Sequence, residues 1–325
     1  MPSCYSARSS AEIVPKLLFS TSSFDLGNLA DREAVEAAGF ELVLNPFGKR
    51  LTEAQAAELL DSDVVGMVAG VEPLTEEVIL GAPSLKVIVR CGIGLDNVDL
   101  DATRRLGISV YNTPDAPTQS VVELTMAHIL SLCRRIPESD RAIRAGRWGS
   151  LMGSLLARQT VGVIGYGRIG RKVCGMLRAF GARVLVHDAL PITGQEDSSE
   201  VVSLHELLST SDIVTLHLPY SPETHHLIDA ERLSLMKTTA LLVNISRGGL
   251  VDEEALHEAL EAGRLRGAAL DCFEVEPYFG PLVNCDNVQF TAHMGSYARE
   301  ARKMMEAQAC EVLLCGLREH GYFEH

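Results

Sequence analysis

Apolar and polar positions follow two patterns along this chain: short apolar runs and longer stretches with helical spacing. The apolar runs of the first part are 17–19, 41–44, 64–68 and 86–89. Between them lie amphipathic stretches, such as residues 29–39, and residues 52–60, where Thr52 and Gln55 have the spacing of a capping box. This alternation predicts parallel strands that are covered by helices on both faces of a sheet.

A long helical stretch, residues 118–145, interrupts this alternation. We interpret it as the element that joins two domains, because it is too long for a simple crossover and its apolar surface could also serve a dimer interface. Strand-like runs then resume at 161–165, 183–187, 213–216, 240–243, 267–270 and 288–290. A last helix is predicted from about Tyr297 to Leu317. A chain of 325 residues is long for one core, so two domains are expected.

The stretch 161–188 has the pattern of a dinucleotide-binding unit. Three glycines in G-x-G-x-x-G spacing follow an apolar strand, and a helix begins among them at Arg168 and Ile169. A second strand follows this helix and ends at Asp188. The glycines, Gly165, Gly167 and Gly170, would permit a tight turn and close approach of a pyrophosphate to the helix N-terminus. A carboxylate at Asp188 would bind the ribose hydroxyls and repel a 2′-phosphate. The predicted cofactor is therefore NAD rather than NADP.

Charge and composition restrict the kinds of binding partner and the cellular compartment that we expect. The formal net charge of −14 argues against nucleic acid and against an anionic membrane surface. The eight cysteines form no CxxC pair and mostly lie within apolar patterns, which is typical of reduced thiols in a cytosolic protein. We find no targeting segment and no apolar stretch of membrane-spanning length, so we expect a cytoplasmic protein.

Three successive strands in the second part are followed by polar residues suited to catalysis. Arg247 follows the run 240–243, Glu276 follows 267–270, and His293 follows 288–290. Ligands bind beyond the carboxyl ends of the strands in open α/β sheets, so these side chains should meet over one edge. Arginine can bind a substrate carboxylate, and histidine can accept a hydroxyl proton. A carboxylate beside the imidazole fixes the tautomer of the ring and favours its protonated form. The chemistry indicated is oxidation of a hydroxy acid.

Other strand ends supply candidate binding loops. His217 and Pro219 end a strand near the cofactor motif, and His217 is expected on the nicotinamide side. In the first part, two loops are candidates for substrate binding because their glycines expose backbone N–H groups. Their residues are Ala69, Gly70, Arg90, Gly92, Ile93 and Gly94. His225 and His226 are adjacent, but no Cys or carboxylate cluster keeps metal-ligand spacing with them, so no metal is predicted.

Motifs along nearly the whole chain resemble those of the D-isomer-specific 2-hydroxyacid dehydrogenases. The matching stretches are Arg90–Asp99, Asn112–Pro114 with Glu123–Thr125, Val161–Gly170, Leu216–Pro219, Asn244–Asp252, Leu270–Pro277 and His293–Ser296. The resemblance implies that Arg247, Glu276 and His293 form the catalytic trio and that Asp271 holds the nicotinamide carboxamide. It further implies two doubly wound, parallel-sheet (Rossmann-like) α/β domains with an interdomain cleft, and homodimers through the NAD-binding domains.

The domain boundaries expected from this resemblance place the NAD-binding domain in the middle of the chain. Residues 113–295 would form that domain, inserted into a substrate domain made of residues 1–112 and 296–325. The terminal helix would therefore return to the first part of the chain.

The sequence indicates the family more closely than it indicates the substrate. The chain looks most like the 3-phosphoglycerate dehydrogenase branch, in a short form that ends at His325 without a regulatory domain. The loop Ala69–Glu72, however, has a small residue and an acid where that branch often carries an arginine, so hydroxypyruvate, glyoxylate or another 2-keto acid is the alternative. An NAD-sensing corepressor that recruits peptides is an alternative of another class.

Overall fold

The computed structural model describes residues 14–29, 32–192 and 200–322. The chain divides into two compact units. The first comprises Met1–Ala116 with Arg302–His325, and the second comprises Pro117–Ala301. Both units are α/β, with parallel sheets, as predicted. No helix in these described ranges is both long enough and apolar enough to cross a membrane.

The first unit contains a five-stranded parallel sheet in the order β2-β1-β3-β4-β5. Its strands are β1 (Lys16–Phe19), β2 (Glu41–Leu44), β3 (Val64–Ala69), β4 (Val87–Arg90) and β5 (Ser109–Asn112). Its helices are α1 (Arg32–Ala37), α2 (Glu53–Leu59), α3 (Glu76–Leu80) and α4 (Leu100–Leu106), and most of α11 (Arg299–Glu319). All six residues of β3 are buried because both sheet faces are covered.

The terminal helix supplies one side of the core of the first unit. Met305, Leu313 and Leu317 of α11 are fully buried in one cluster with Leu17 and Phe19 of β1. The opposite face of the sheet packs on α2, α3 and α4 through a separate cluster.

The second unit contains a seven-stranded parallel sheet in the order β12-β11-β10-β9-β6-β7-β8. The strands are β6 (Thr160–Ile164), β7 (Arg183–His187), β8 (Glu200–Val201), β9 (Ile213–Leu216), β10 (Leu241–Asn244), β11 (Gly267–Leu270) and β12 (Val288–Phe290). The helices are α5 (Thr118–Arg134), α6 (Ile136–Arg144), α7 (Arg168–Ala179), α8 (Leu204–Thr210), α9 (Ala230–Leu235) and α10 (Glu253–Glu261). Two hydrophobic clusters cover the two faces of this sheet.

Several predicted helix ends are confirmed or corrected. The capping box is present, since the Gln55 N–H donates to Thr52 Oγ1 at 3.3 Å and the Thr52 N–H donates to Gln55 Oε1 at 3.1 Å. The helix predicted over 29–39 covers Arg32–Ala37 in the described residues, and the last helix begins at Arg299 rather than Tyr297.

The long helix predicted over 118–145 is wrong as a single element, because the chain breaks at Arg135. Arg135 has a left-handed φ of 54°, which ends α5 and starts α6. Pro137 has no N–H to donate to the Cys133 carbonyl four residues earlier, and its ring would clash with that carbonyl in a continuous helix. The Cys133 carbonyl instead accepts from the Ser154 N–H at 2.8 Å.

Candidate active site

The glycine loop between β6 and α7 has the backbone geometry that its sequence predicts. Gly165 has a φ of 96°, and a Cβ built there would lie 2.4 Å from the His217 carbonyl oxygen. A Cβ on Gly170 would lie 2.0 Å from the Gly165 carbonyl oxygen. Both positions therefore require glycine, one for the turn and one for the close approach of helix to strand.

The N-terminus of α7 fits a dinucleotide phosphate. Gly167 is its N-cap residue, and no side chain caps this end of the helix. A Cβ on Gly167 would meet no heavy atom within 4 Å, so the space beside its backbone is open. Arg168 and Ile169 begin the helix there. Open space at an uncapped helix N-terminus is what an approaching pyrophosphate needs.

Asp188 lies directly after β7 and is tied to the glycine loop. Its Oδ2 accepts a hydrogen bond from the Tyr166 N–H at 2.7 Å, and its Oδ1 accepts from the Leu190 N–H at 2.9 Å. Each carboxylate oxygen keeps a second lone pair for another donor. Since β7 is the neighbour of β6 in the sheet, the carboxylate lies beside the loop that would hold the phosphates.

His217 and Pro219 follow β9, on the other side of β6. His217 Nε2 lies 3.0 Å from Thr215 Oγ1, and its buried Nδ1 has no hydrogen-bond partner among the described residues. Burial lowers the pKa of His217 to about 3, so the ring is neutral near pH 7. The Pro219 carbonyl accepts the Thr224 hydroxyl at 3.1 Å. A buried ring nitrogen without a partner is an available polar contact at this strand end.

The three predicted catalytic residues follow three neighbouring strands. Strands β10, β11 and β12 are adjacent and parallel, so their carboxyl ends share one edge. Arg247 follows β10, and its carbonyl accepts from Asn244 Nδ2 at 2.7 Å. Its Nη1 donates to the Ser246 carbonyl at 2.8 Å. The loop after β10 is thus held by its own side chains.

Glu276 and His293 are in direct contact. His293 Nδ1 lies 3.0 Å from each carboxylate oxygen of Glu276. The His293 side chain is 33% exposed and the Glu276 side chain is 19% exposed, so the pair is only partly open to water. Because the carboxylate accepts at Nδ1, the neutral ring carries its proton there, and Nε2 is the basic nitrogen. Nε2 makes no hydrogen bond within the described ranges.

Asp271 holds the turn that carries His293. This carboxylate is fully buried at the end of β11 and accepts from the Thr291 hydroxyl at 2.6 Å. It also accepts from the backbone N–H groups of Met294 at 2.8 Å and Gly295 at 2.9 Å. These bonds support a turn in which His293 has a left-handed φ of 50°. The role of Asp271 toward a nicotinamide carboxamide stays a prediction.

Two polar residues behind this turn, Thr291 and His128, were not predicted as part of the site from the sequence. Thr291 connects Asp271 to His128, whose Nε2 lies 3.1 Å from Thr291 Oγ1. His128 is 1% exposed, and burial lowers its pKa, so the ring stays neutral. The sequence did contain one signal for the burial of His128, namely its helical spacing with Val121 and Thr125 on the buried face of α5. Nothing in the sequence linked that face to the loop after β12.

The candidate substrate loop after β3 closes on a buried carboxylate. Glu72 is 1% exposed and accepts from the Gly70 N–H at 3.0 Å and from the Ser20 hydroxyl. Asn97 Nδ2 donates to the Glu72 carbonyl at 2.7 Å. Burial raises the pKa of the Glu72 carboxyl, against the effect of these hydrogen bonds. Ala69, the last residue of β3, is buried beneath this loop.

The loop after β4 offers backbone donors. Arg90 ends the strand, is buried, and donates from Nη1 to the Cys91 carbonyl. Asn112 Nδ2 donates to the Ile93 carbonyl at 2.6 Å, which supports the loop from β5. The N–H groups of Ile93 and Gly94 make no hydrogen bond within the part of the chain that is described. They form a candidate anion nest, as expected for a carboxylate-binding loop.

The NAD-binding part of the chain matches a known protein family. Residues 126–295 match the NAD-binding domain of the D-isomer specific 2-hydroxyacid dehydrogenases. The chain belongs to this family. Members of the D-2-hydroxyacid dehydrogenase family are oxidoreductases, and the residue range places the NAD-binding domain in the second unit.

Named relatives within the family differ in substrate. The chain is 42% identical to the D-3-phosphoglycerate dehydrogenase of Methanocaldococcus jannaschii over 262 residues, covering 78% of this chain and 49% of that protein. It is 38% identical to the glyoxylate reductase of Thermococcus onnurineus over 246 residues, covering 72% of this chain and 74% of that protein. The chain thus spans about half the length of the phosphoglycerate dehydrogenase that it matches.

A solved structure shares the fold across both units. The D-lactate dehydrogenase of Aquifex aeolicus, complexed with NAD and lactic acid, matches with a TM-score of 0.83 and 30% identity, covering 94% of this chain and 96% of that chain. The predicted fold class, two Rossmann-like α/β domains of the D-2-hydroxyacid dehydrogenase family, is confirmed.

Proposed function

We propose that the chain catalyses reversible hydride transfer between a D-2-hydroxy acid and NAD. The observation that carries this proposal is the Glu276–His293 pair, in which both carboxylate oxygens lie 3.0 Å from Nδ1. This pairing leaves Nε2 as the basic atom for a substrate hydroxyl. Glu276 follows β11 and His293 follows β12, while the guanidinium of Arg247 belongs to the loop after β10, the neighbour of β11.

Each residue of the trio has a defined task in this reaction. Arg247 binds the substrate carboxylate through a bidentate pair and stays charged throughout. In the oxidation direction His293 Nε2 accepts the hydroxyl proton, and in reduction it returns that proton to the carbonyl oxygen. Glu276 orients the ring and stabilises the imidazolium that forms. The glycine loop and Asp188 would hold NAD, which would accept the hydride in the oxidation direction.

The preference for NAD over NADP is assigned to Asp188. The carboxylate is fixed beside the glycine loop by the Tyr166 N–H, where it would accept from ribose hydroxyls and repel a 2′-phosphate. Asp188→Ser should lower the NAD-to-NADP ratio of kcat/KM. An unchanged ratio would remove Asp188 from cofactor choice.

The first candidate substrate is 3-phosphoglycerate, with 3-phosphohydroxypyruvate as its oxidised form. The 42% identity to a D-3-phosphoglycerate dehydrogenase supports it. A second candidate, glyoxylate or hydroxypyruvate, is favoured by Glu72. That buried carboxylate occupies the loop after β3, where a phosphate group would need a cation, and a neighbouring acid disfavours a dianion.

The experiment for both candidates follows NADH absorbance with purified full-length chain. Phosphohydroxypyruvate, hydroxypyruvate, glyoxylate and pyruvate are compared in parallel by kcat/KM. Preference for the phosphorylated acid supports the first candidate, and preference for an unphosphorylated acid supports the second. Tight NADH binding without turnover on any of them would contradict the enzymatic proposal and favour the corepressor alternative.

The compartment and oligomeric state are further parts of the proposal. We infer a cytoplasmic location, supported by seven free cysteines among the described residues. We infer a homodimer through the second unit, where several large apolar side chains after α5 are exposed. These are Ile136 (56%), Ile143 (51%), Trp148 (91%), Met152 (87%) and Leu155 (66%). Apolar exposure on this scale is typical of an interaction surface.

A further inference from the structure

Three side chains at the carboxyl edge of β11 and β12 form a set of potential metal ligands. One ligand atom each from Cys272, Glu276 and His293 lies within 4.8 Å of the others. Cys272 and Glu276 are four residues apart on the loop after β11, and His293 arrives on the loop after β12. We refer to these three residues as the CEH cluster. The sequence showed no ligand spacing here, because the third residue comes from another strand.

The chemistry of the CEH cluster is that of a zinc site. A thiolate, an imidazole and a carboxylate are the ligand types that Zn²⁺ takes in proteins, and three protein ligands leave a fourth position open. Zinc–ligand bonds of about 2.0–2.3 Å put the ligand atoms of one ion roughly 3–4 Å apart. The ligand atoms now lie within 4.8 Å of one another, so binding of an ion would draw them together by roughly 1 Å.

The surroundings of the CEH cluster restrict what can reach it. Cys272 is 3% exposed, and its thiol donates to the Ser246 carbonyl at 3.4 Å. Glu276 and His293 are more open and form the accessible side of the cluster. The sulfur atom in this ligand set favours thiophilic divalent cations over Mg²⁺.

We propose that the CEH cluster binds Zn²⁺ as an inhibitory ion. Binding places Zn²⁺ where the His293–Glu276 hydrogen bond now lies, so the Nδ1 proton and the Cys272 thiol proton leave to solvent. No electron is transferred. The imidazole then no longer donates to Glu276, and the acid–base pair is lost while the ion is bound. Ion binding itself rests only on the three ligand positions, whereas the inhibition rests on the proposed function.

The direct test of binding uses Co²⁺ as a spectroscopic probe on the full chain without NAD. Wild type should give visible bands of four-coordinate Co²⁺ and a sulfur-to-cobalt charge-transfer band, and Zn²⁺ should displace both. Cys272→Ser should lose the charge-transfer band. Cys285→Ser, a half-buried cysteine of the same unit outside the cluster, should keep it. Absence of the band in wild type, or its persistence in Cys272→Ser, would overturn the proposal.

The test of inhibition uses chelator-buffered Zn²⁺ in the NADH assay. Wild type should lose turnover reversibly, with activity restored by EDTA. Cys272→Ser should keep its basal turnover and need about tenfold or more free Zn²⁺ for the same inhibition, because a thiolate ligand is gone. Cys285→Ser should match wild type, and equal zinc sensitivity of all three proteins would refute the inhibitory role. Cobalt binding without turnover on any substrate would leave the site intact and instead contradict the proposed function.

Discussion

At the residue scale, His293 is held from two directions. Glu276 fixes the ring through Nδ1, and Asp271 fixes the backbone through the turn after β12. A general base must present its nitrogen in a defined direction, and this double support orients the ring before substrate binds.

Replacement of His293 should separate chemistry from cofactor binding. His293→Asn is expected to lower turnover about 10²–10⁴-fold, the usual contribution of general acid–base catalysis. NADH affinity should change little, because the glycine loop and Asp188 belong to other strand ends. Steady-state kinetics with fluorescence titration of NADH measure both quantities. His257→Asn, on α10, is the matched control and should behave as wild type; turnover retained in His293→Asn would remove the histidine from the mechanism.

Glu72 gives a pH dependence of stability with a defined sign. Burial raises the pKa of its carboxyl above the ordinary value of 4.5, so folding favours the protonated form. Its contribution is therefore fully present below pH 4.5 and is lost as pH rises through the raised pKa of the folded state. Glu72→Gln should be more stable than wild type at pH 7, because a neutral amide replaces a group whose ionised form is disfavoured by burial.

Urea unfolding at several pH values measures this difference. The free energies of unfolding of wild type and Glu72→Gln should converge at about pH 4. A wild type that is the more stable protein at pH 7 would show instead that the Gly70 and Ser20 hydrogen bonds outweigh the burial of the charge.

The residues of the candidate site differ in how far they could be predicted. Arg247, Glu276 and His293 could be predicted from strand order, because parallel strands end at a common edge. Glu72 and His128 could not be assigned, because their environments are built by residues 52 and 163 positions away in the chain, Ser20 and Thr291. Burial of a polar side chain by such distant residues has no local pattern.

At the element scale, the glycine loop joins strand and helix through two close backbone approaches and one open space. Gly170 packs on the Gly165 carbonyl, whereas Gly167 faces no neighbouring atom. The same residue type therefore serves packing at one position and ligand approach at the other.

Three glycine-to-alanine variants should distinguish these roles. Gly167→Ala should cost at most about 1 kcal/mol of stability but weaken NADH binding strongly, because the added methyl group fills the space of the pyrophosphate. Gly170→Ala should lose both stability and binding. Gly175→Ala, exposed within α7, should gain about 0.5–1 kcal/mol and bind NADH normally. Thermal melts measure the changes in stability, and NADH titrations measure the changes in affinity. Normal NADH affinity in Gly167→Ala would contradict the assigned phosphate position.

Element boundaries show where sequence patterns fail. The strand–loop–helix–strand order around the glycine loop follows from apolar runs and glycines, which act locally. The break between α5 and α6 does not, because the apolar spacing continues through Arg135. Pro137 was a visible signal, but the replacement partner of the Cys133 carbonyl, Ser154, lies 21 residues along the chain from Cys133.

At the scale of the whole molecule, the proposed dimer depends on the exposed apolar side chains after α5. Light scattering should give a mass near twice 35.2 kDa for wild type. Trp148→Glu should shift it toward the monomer, since the indole is 91% exposed and a charge would be buried in the interface. Leu80→Glu, at an exposed apolar position of the first unit, should remain dimeric. A monomeric wild type would contradict the proposed interface.

The family and fold of the whole chain were more predictable than its substrate. Ordered motifs over most of the sequence carried the resemblance, and the match over residues 126–295 agrees with it. Substrate choice depends on side chains such as Glu72, whose position is set by tertiary packing, and the named relatives themselves divide between phosphorylated and unphosphorylated acids.

The proposed reaction is the oxidation of D-2-hydroxy acids with NAD. The most direct measurement supplies purified chain and NAD with the separate D and L enantiomers of glycerate, 3-phosphoglycerate and lactate, and follows NADH formation. We expect NADH formation from the D enantiomer of at least one acid, none from the L enantiomers, and loss of this activity in His293→Asn. Oxidation of an L enantiomer, or no NADH from any of the acids, would contradict it.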